Sequence, residues 1–199
     1  MEKESFFFAF LRRMRFIRRW GLMRNTENEN IQEHSLDVAF IAHNLAYLHN
    51  LNCPEHPVDA NKTAVMAMYH EVSEIFTGDM PTPIKYFDPM LRKLYGEVET
   101  LAQEKMLGTL PQELQESYKP FLTEAETSAE WVYVKAADTI AAYFKCVDEV
   151  NAGNSEFKEA KASIFAKLEK SNLPEVKTFL SLYEKSLGYS LDKLDYGVK

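Results

Sequence analysis

The sequence predicts an all-α fold in one helical domain, and three observations carry that expectation. Apolar residues recur at helical spacing through most of the chain. No short stretch alternates cleanly between apolar and polar residues between turn signals, so no strand is expected. Helix-starting residues recur along the chain at Asp59, Asp88-Pro89, Ser128, Ser155 and Pro174. The 199 residues are 46% hydrophobic and 27% charged, an ordinary globular composition that excludes wholesale disorder. A chain of this length buries a core without disulfide or metal staples. With no repeat, low-complexity tract or linker-like shift in composition, one domain over residues 1–199 is expected.

The elements follow in order. A first helix fits 5–17, with phenylalanines on one side and arginines on the other. A second fits 33–50, where Leu36, Ala39, Phe40, His43 and Tyr47 form one apolar stripe and Val38, Ile41, Ala42, Leu45 and Leu48 a second. A helix apolar on two faces is expected to be central and buried. Asp59 is suited to cap a third helix reaching about Phe76, with Gly78 as its stop. Two prolines in Asp79-Met80-Pro81-Thr82-Pro83 then predict a fixed, extended loop. Asp88-Pro89 opens a fourth helix whose apolar face is Leu91, Leu94, Val98, Leu101, Ala102 and Met106. Pro111 starts a short helix, and Pro120 closes that region. Ser128 is positioned to cap a long helix through about Val150, with Val132, Ala136, Ile140, Tyr143 and Val147 turned inward. Ser155 and Pro174 begin two more.

Composition also narrows the function. A net charge of −7 argues against a non-specific nucleic-acid coat, so no nucleic-acid polymer is expected as partner. Cys53 and Cys146 are the two cysteines, too few for a disulfide scaffold or a four-cysteine zinc module. The apolar run at residues 6–11 is short and leads straight into Arg12 and Arg13, the reverse of a signal peptide's order. No run is long enough to span a bilayer. No membrane partner is expected, and the cytoplasm is the expected compartment.

Arg12, Arg13, Arg15, Arg18, Arg19 and Arg24 crowd into an otherwise acidic chain. They are either a solvated helix face or a source of guanidinium forks for an anion such as phosphate. Histidine is scarce, and two of the five stand in suggestive company. His34 opens the second helix. His70 and Glu74 are four apart on the third, and Glu71 is about 100° from His70 around it. Carboxylates among Met66, Ala67, Met68, Ile75 and Phe76 are costly to bury without a partner. Asp138 lies among Ala136, Ala137, Ile140, Ala141 and Ala142, and a buried aspartate likewise needs a partner. His70 as a hydrogen-bonded core residue, and Asp138 in an ion pair with an arginine, are the plain alternatives. Together, His34, His70, Glu71 and Asp138 are two imidazoles and two carboxylates from three helices, a set suited to a first-row divalent ion. Such an ion polarises a phosphoryl oxygen and lowers the pKa of water. His70-Glu71 is not the zinc-peptidase HExxH, because position 74 is Glu. No histidine has Glu three residues before it, which excludes a ferritin-like di-iron site.

The order His34, His70 with an acidic neighbour, then Asp138 resembles the HD-domain metal phosphohydrolases. Arg19-Trp20, the segments 30–36, 68–74 and 77–83, and Lys135-Ala136-Ala137-Asp138 are similar to the bacterial 5′-deoxynucleotidase subgroup over most of the chain. That resemblance implies an HD-domain helical bundle. It implies metal-dependent hydrolysis of deoxyribonucleoside 5′-monophosphates to deoxynucleosides and phosphate, selective against ribonucleotides. His34, His70, Glu71 and Asp138 would hold a divalent ion, Co²⁺, Mn²⁺ or a similar transition metal. His34, Glu71 and Asp138 would also border the substrate. Glu74 would activate water or transfer the proton, Arg19 would orient the phosphate, and Trp20 would pack where a 2′-hydroxyl would clash. Asp79, Met80, Pro81 and Thr82 would line the substrate pocket, and the enzyme would be a cytoplasmic homodimer.

One position departs from the pattern. The subgroup carries His-Asp where this chain has His70-Glu71, and the added methylene moves the carboxylate by about 1.5 Å on a fixed backbone. A nucleotide sensor that kept the pocket and lost turnover is therefore an alternative. So is another HD phosphohydrolase, although the Glu-Asp of the alarmone hydrolases and the Gly-Tyr-Pro of the cyclic-dinucleotide enzymes are missing. A third alternative is an interaction protein that uses Phe6, Phe7, Phe8 and Phe10 as a partner face.

Overall fold

A computed structural model of the chain describes residues 4–194. Both ends of the expected domain, 1–199, therefore lie outside the described residues. The described residues are helical, and no strand forms among them; Arg18 and Asn30 make an isolated antiparallel bridge.

Helix α1 (Phe7–Leu11) runs into a 3₁₀ turn over Arg12–Phe16, so the expected first helix tightens half-way. Helix α2 (Ile31–Asn52) starts two residues earlier than expected. Its start is set by Asn30, whose side chain accepts the N–H groups of Gln32 and Glu33 at 3.0 Å, while Glu33 accepts the Asn30 N–H at 3.3 Å. That reciprocal cap satisfies three orphan donors and is worth about 1 kcal/mol. Helix α3 (Ala60–Tyr69) is capped by Asp59 as expected, since the Asp59 carboxylate accepts the Lys62 N–H at 2.9 Å.

The third helix does not run on to Phe76. It ends at Tyr69, passes through turns over 70–73, and resumes as the single turn α4 (Glu74–Thr77). Val72 N–H bonds to Tyr69 and Glu74 N–H to Glu71, contacts to the third residue back that wind the chain more tightly. Gly78 stops it at φ 71°, a left-handed value that glycine adopts without strain. The expected extended loop is also corrected. Thr82–Lys85 forms one helical turn, α5, because Pro83 falls in its first turn, where no backbone N–H is required.

Helices α6 (Pro89–Leu107), α7 (Gln112–Leu122), α8 (Trp131–Asn151), α9 (Lys158–Glu169) and α10 (Pro174–Tyr183) complete the fold. Pro120 lies inside α7 and does not end it before Leu122. Ser128 does not cap α8; Glu130 holds that position without a side-chain bond to the helix. The central layer is α2 against α8. Val38, Ala42 and Leu45 meet Val134, Ala137 and Ile140 in a core that also takes Met66, Val176 and Phe179. A second core gathers Phe7, Val72, Met106, Leu107, Leu110 and Leu122.

Three expected faces are corrected by how the helices are rotated. On α2, Val38, Ile41, Ala42 and Leu45 are buried, but of the other stripe only Ala39 is; Phe40 is 65% exposed, and Leu36 and Tyr47 are also exposed. On α8, Val132 is exposed, and the inward side begins at Tyr133 and Val134. On α6, only Ala102 and Met106 of the expected face are buried, because the helix leans on the second core by its C-terminal half; Leu94, Val98 and Leu101 are exposed. Phe7 is core while Phe6 and Phe8 are exposed, so the run of phenylalanines does not form one buried side.

Candidate active site

The segment between the first 3₁₀ turn and α2 leaves the bundle and returns to it. Arg18 bridges Asn30, the Arg19 N–H bonds to the Glu29 carbonyl at 3.0 Å, and the Ile31 N–H bonds to the Ile17 carbonyl at 3.0 Å. This neck closes a loop over 19–29 and turns Arg19 inward. The other arginines between 12 and 24 are exposed, as a solvated face would be. Trp20 is in the left-handed region at φ 58°, alone among the described non-glycine residues. That conformation costs about 1–3 kcal/mol and persists only where its surroundings hold it. Here the Trp20 carbonyl accepts the Met23 N–H at 2.9 Å, and the indole packs on Phe157 with ring centres 5.3 Å apart.

The start of α2, the turn after α3 and the middle of α8 bring His34, His70, Glu71 and Asp138 together. Each offers one ligand atom, and these atoms all lie within 4.8 Å of one another. The hydrogen bonds around the two rings show what the cluster can hold. His70 Nδ1–H donates to the Ala67 carbonyl at 2.7 Å, which leaves Nε2 with its lone pair. That Nε2 is buried, has no hydrogen-bond donor, and sits 3.2 Å from Glu71 Oε1. His34 Nε2 faces Asp138 Oδ1 at 3.1 Å. Imidazole lone pairs and carboxylates pointed at one centre repel unless a cation lies between them. The donor set therefore fits a divalent ion, with His70 already in a ligating tautomer.

The electrostatics sort the acids. Burial raises the pKa of Asp138, but His34 and Lys135 overcome it and hold the carboxyl well below its usual range. Burial also opposes ionisation of Glu71, yet a hydrogen bond from Glu74 and the Arg19 charge hold its carboxyl below the usual range. Glu74 goes the other way: burial and the Glu71 charge push it up to about 11. Two carboxyl groups that compete for one site part in this way, one charged and one protonated. Burial works against an imidazolium at His34, but the Asp138 and Glu29 carboxylates raise its pKa. Burial opposes the Arg19 charge too, and Glu71, Glu29, Asp138 and Asp79 outweigh it.

Not every expected residue joins the cluster equally. Glu71 does join it, and also approaches Arg19 Nη1 at 4.0 Å despite the extra methylene. Glu74 is buried with Oε2 unpaired and lies within proton-sharing reach of Glu71. Asp79 is near enough for burial to raise its carboxyl against the pull of Arg19. Met80 and Pro81 are half-buried and Thr82 exposed, and none makes a side-chain hydrogen bond to the cluster. Two contributors were not read from the sequence. Lys135 Nζ lies 3.2 Å from Asp138 Oδ2, a contact its three-residue spacing on a helix could have suggested. Glu29 Oε2 accepts Arg19 Nε–H at 3.1 Å and Trp20 Nε1–H at 3.0 Å; a loop glutamate next to a helix cap carries no pattern that foretells it.

The family model described as 5′-deoxynucleotidase YfbR-like matches residues 6–187. A 5′-deoxynucleotidase of Vibrio vulnificus (strain YJ016) is 46% identical over 193 residues, covering 96% of this chain and 99% of the relative. Among solved structures, an HD-domain phosphohydrolase from Listeria innocua superposes with a TM-score of 0.77 at 24% identity, over 91% of this chain and 87% of that one. The cyanophage S-2L HD phosphohydrolase, solved with dA and one catalytic Zn²⁺ ion, superposes at 0.63 with 22% identity, over 90% of this chain and 95% of its own. These structures share the fold, and the family model and the Vibrio relative reach further: this chain belongs to the YfbR-like 5′-deoxynucleotidase family.

Proposed function

We propose that this chain hydrolyses deoxyribonucleoside 5′-monophosphates to deoxynucleosides and phosphate, with a divalent ion held by His34, His70, Glu71 and Asp138. The observation that carries the reading is the convergence of two imidazoles and two carboxylates on one centre, with Arg19 beside it. A Co²⁺, Mn²⁺ or similar ion held there would neutralise phosphate charge and acidify water. Arg19 uses Nε on Glu29, which leaves its terminal N–H groups to take phosphate oxygens. As a water oxygen bonds to phosphorus, the P–O5′ bond breaks and the 5′-oxygen needs a proton. Glu74, whose carboxyl burial and the Glu71 charge push up to about 11, would give that proton and, as the carboxylate it then becomes, would take one from the attacking water. His34, Glu71 and Asp138 would border the bound phosphate.

The indole of Trp20 would fill the space a 2′-hydroxyl needs, and Asp79, Met80, Pro81 and Thr82 would wall the nucleoside. The exposed apolar stripes Leu36–Phe40–Tyr47 and Leu94–Val98–Leu101 support a homodimer. A single domain in the cytoplasm is in keeping with two free cysteines and with no described helix long and apolar enough to cross a membrane.

The test is phosphate release from dAMP and AMP side by side, with metal-stripped protein and then with Mn²⁺ or Co²⁺. Release from dAMP that depends on metal and exceeds release from AMP is the expected result. No release from either by folded, metal-loaded protein would overturn the reading. Trp20→Ala should lower the dAMP-to-AMP ratio of kcat/KM by about tenfold, within the range for a sterically sensed group. An unchanged ratio would remove Trp20 from sugar selection.

A further inference from the structure

We infer that Glu29 is the positioning residue that sets sugar selection and metal affinity together, by tying Trp20, Arg19 and His34 to one carboxylate. The inference rests on the hydrolase reading for its sugar readout and on geometry alone for the rest.

One oxygen of Glu29 takes two donors, Arg19 Nε–H at 3.1 Å and Trp20 Nε1–H at 3.0 Å. The other oxygen faces His34 Nδ1 at 3.7 Å, a charge contact beyond hydrogen-bond distance, and that buried nitrogen has no hydrogen-bond partner among the described residues. The side chain is 12% exposed, so water competes weakly for these contacts. Each of the three partners needs what Glu29 supplies. Trp20 has a strained backbone at φ 58°, and among the described residues its side chain bonds to Glu29 alone. Arg19 could swing among Glu71, Asp138 and Asp79; a fixed Nε orients its terminal N–H groups. His34 presents Nε2 to the cluster only if its proton sits on Nδ1, and a carboxylate on that side favours this tautomer and stiffens the ring. The neck at Arg18 and Asn30 sets the carboxylate between loop and helix, because the Glu29 carbonyl is itself held by the Arg19 N–H at 3.0 Å.

Two variants separate position from charge. Glu29→Gln keeps the size and removes the charge. Glu29→Asp keeps the charge and draws it back by one methylene, so it cannot reach all three partners. Co²⁺ binding to metal-stripped protein by titration calorimetry reads His34. Fluorescence in a Trp131→Phe background, which leaves one indole, reads Trp20. The dAMP-to-AMP ratio of kcat/KM reads the assembled site.

Both variants should bind Co²⁺ about tenfold more weakly or worse, as loss of a partner to a ligating histidine does elsewhere. Both should shift the Trp20 emission and lower the sugar ratio. Wild-type Co²⁺ affinity and Trp20 emission in Glu29→Asp would overturn the inference, even if Glu29→Gln were impaired, since charge alone would then suffice. A fall in thermal stability with both readouts unchanged would also overturn it. If the wild type hydrolyses neither nucleotide, the hydrolase reading fails, while Co²⁺ affinity and emission still decide the role of Glu29.

Discussion

Glu74→Gln should lose about 10³-fold in kcat while still binding metal, an effect within the range for removing a general acid or base. The amide has nearly the same shape and cannot give up a proton, so KM for dAMP should change far less than kcat. Metal affinity should hold, because Glu74 contributes no atom to the four-residue cluster. Folding stability should hold or rise. Wild-type Glu74 is buried beside another carboxylate with Oε2 unpaired, an arrangement that does not favour folding. Steady-state kinetics, Co²⁺ titration and thermal unfolding of this one variant give all three answers. Loss of metal in Glu74→Gln would reassign Glu74 as a ligand. Unchanged turnover would place the proton transfer on another group.

The second large effect lies away from the chemistry, at Glu149. Its carboxylate is buried and takes donors from Thr26 N–H at 2.9 Å, Thr26 Oγ1–H at 2.6 Å, Glu27 N–H at 3.2 Å and Asn154 Nδ2–H at 2.8 Å. Lys145, also buried, donates to it and to the Glu27 carbonyl. These bonds fasten the Arg19–Trp20 loop to α8. Glu149→Gln turns one acceptor oxygen into a donor and leaves the Lys145 charge buried without its counter-ion. The expected loss is about 3 kcal/mol at neutral pH, the cost of breaking a buried pair from one side. In a chain of this size that lowers Tm by roughly 10 °C.

The pH dependence has a definite sign. Burial alone would raise the Glu149 pKa, but Lys145, Thr26 and Asn154 hold it far below its ordinary 4.5. A depressed carboxyl stabilises the folded state fully above the unfolded value and loses that contribution as pH falls through the folded one. The gap in stability between wild type and Glu149→Gln should therefore be widest at neutral pH and narrow as the solution is acidified below about 4.5. Unfolding curves at neutral and acid pH check this, and a gap that grows on acidification would show that the pair does not stabilise the fold.

Much of this was legible along the chain, and the misses share a cause. The start of the third helix followed from Asp59, and the later starts from Asp88-Pro89 and Pro174, because a cap acts within one turn of itself. The start of the second helix was set two residues late, because Asn30 was not read as its cap. The two histidines and two acids were legible as residues without an apolar reason to be where they are. Which helix faces are buried was less legible. Phe40 and Val98 fit an apolar stripe as well as Val38 does, and only the placement of neighbouring helices leaves the first two exposed. The break at 70–73 was hidden because its residues are compatible with helix.

By itself the sequence determined the all-α class and the order of the two histidines and two acids along the chain, since helix periodicity and capping are written within a few residues. Tertiary structure alone decided that His34 meets Asp138, 104 residues away, that Arg19 turns inward from among six arginines, and that Glu29 takes up Arg19 and Trp20 while facing His34. Such contacts depend on where the chain returns after long excursions, and no local spacing records that.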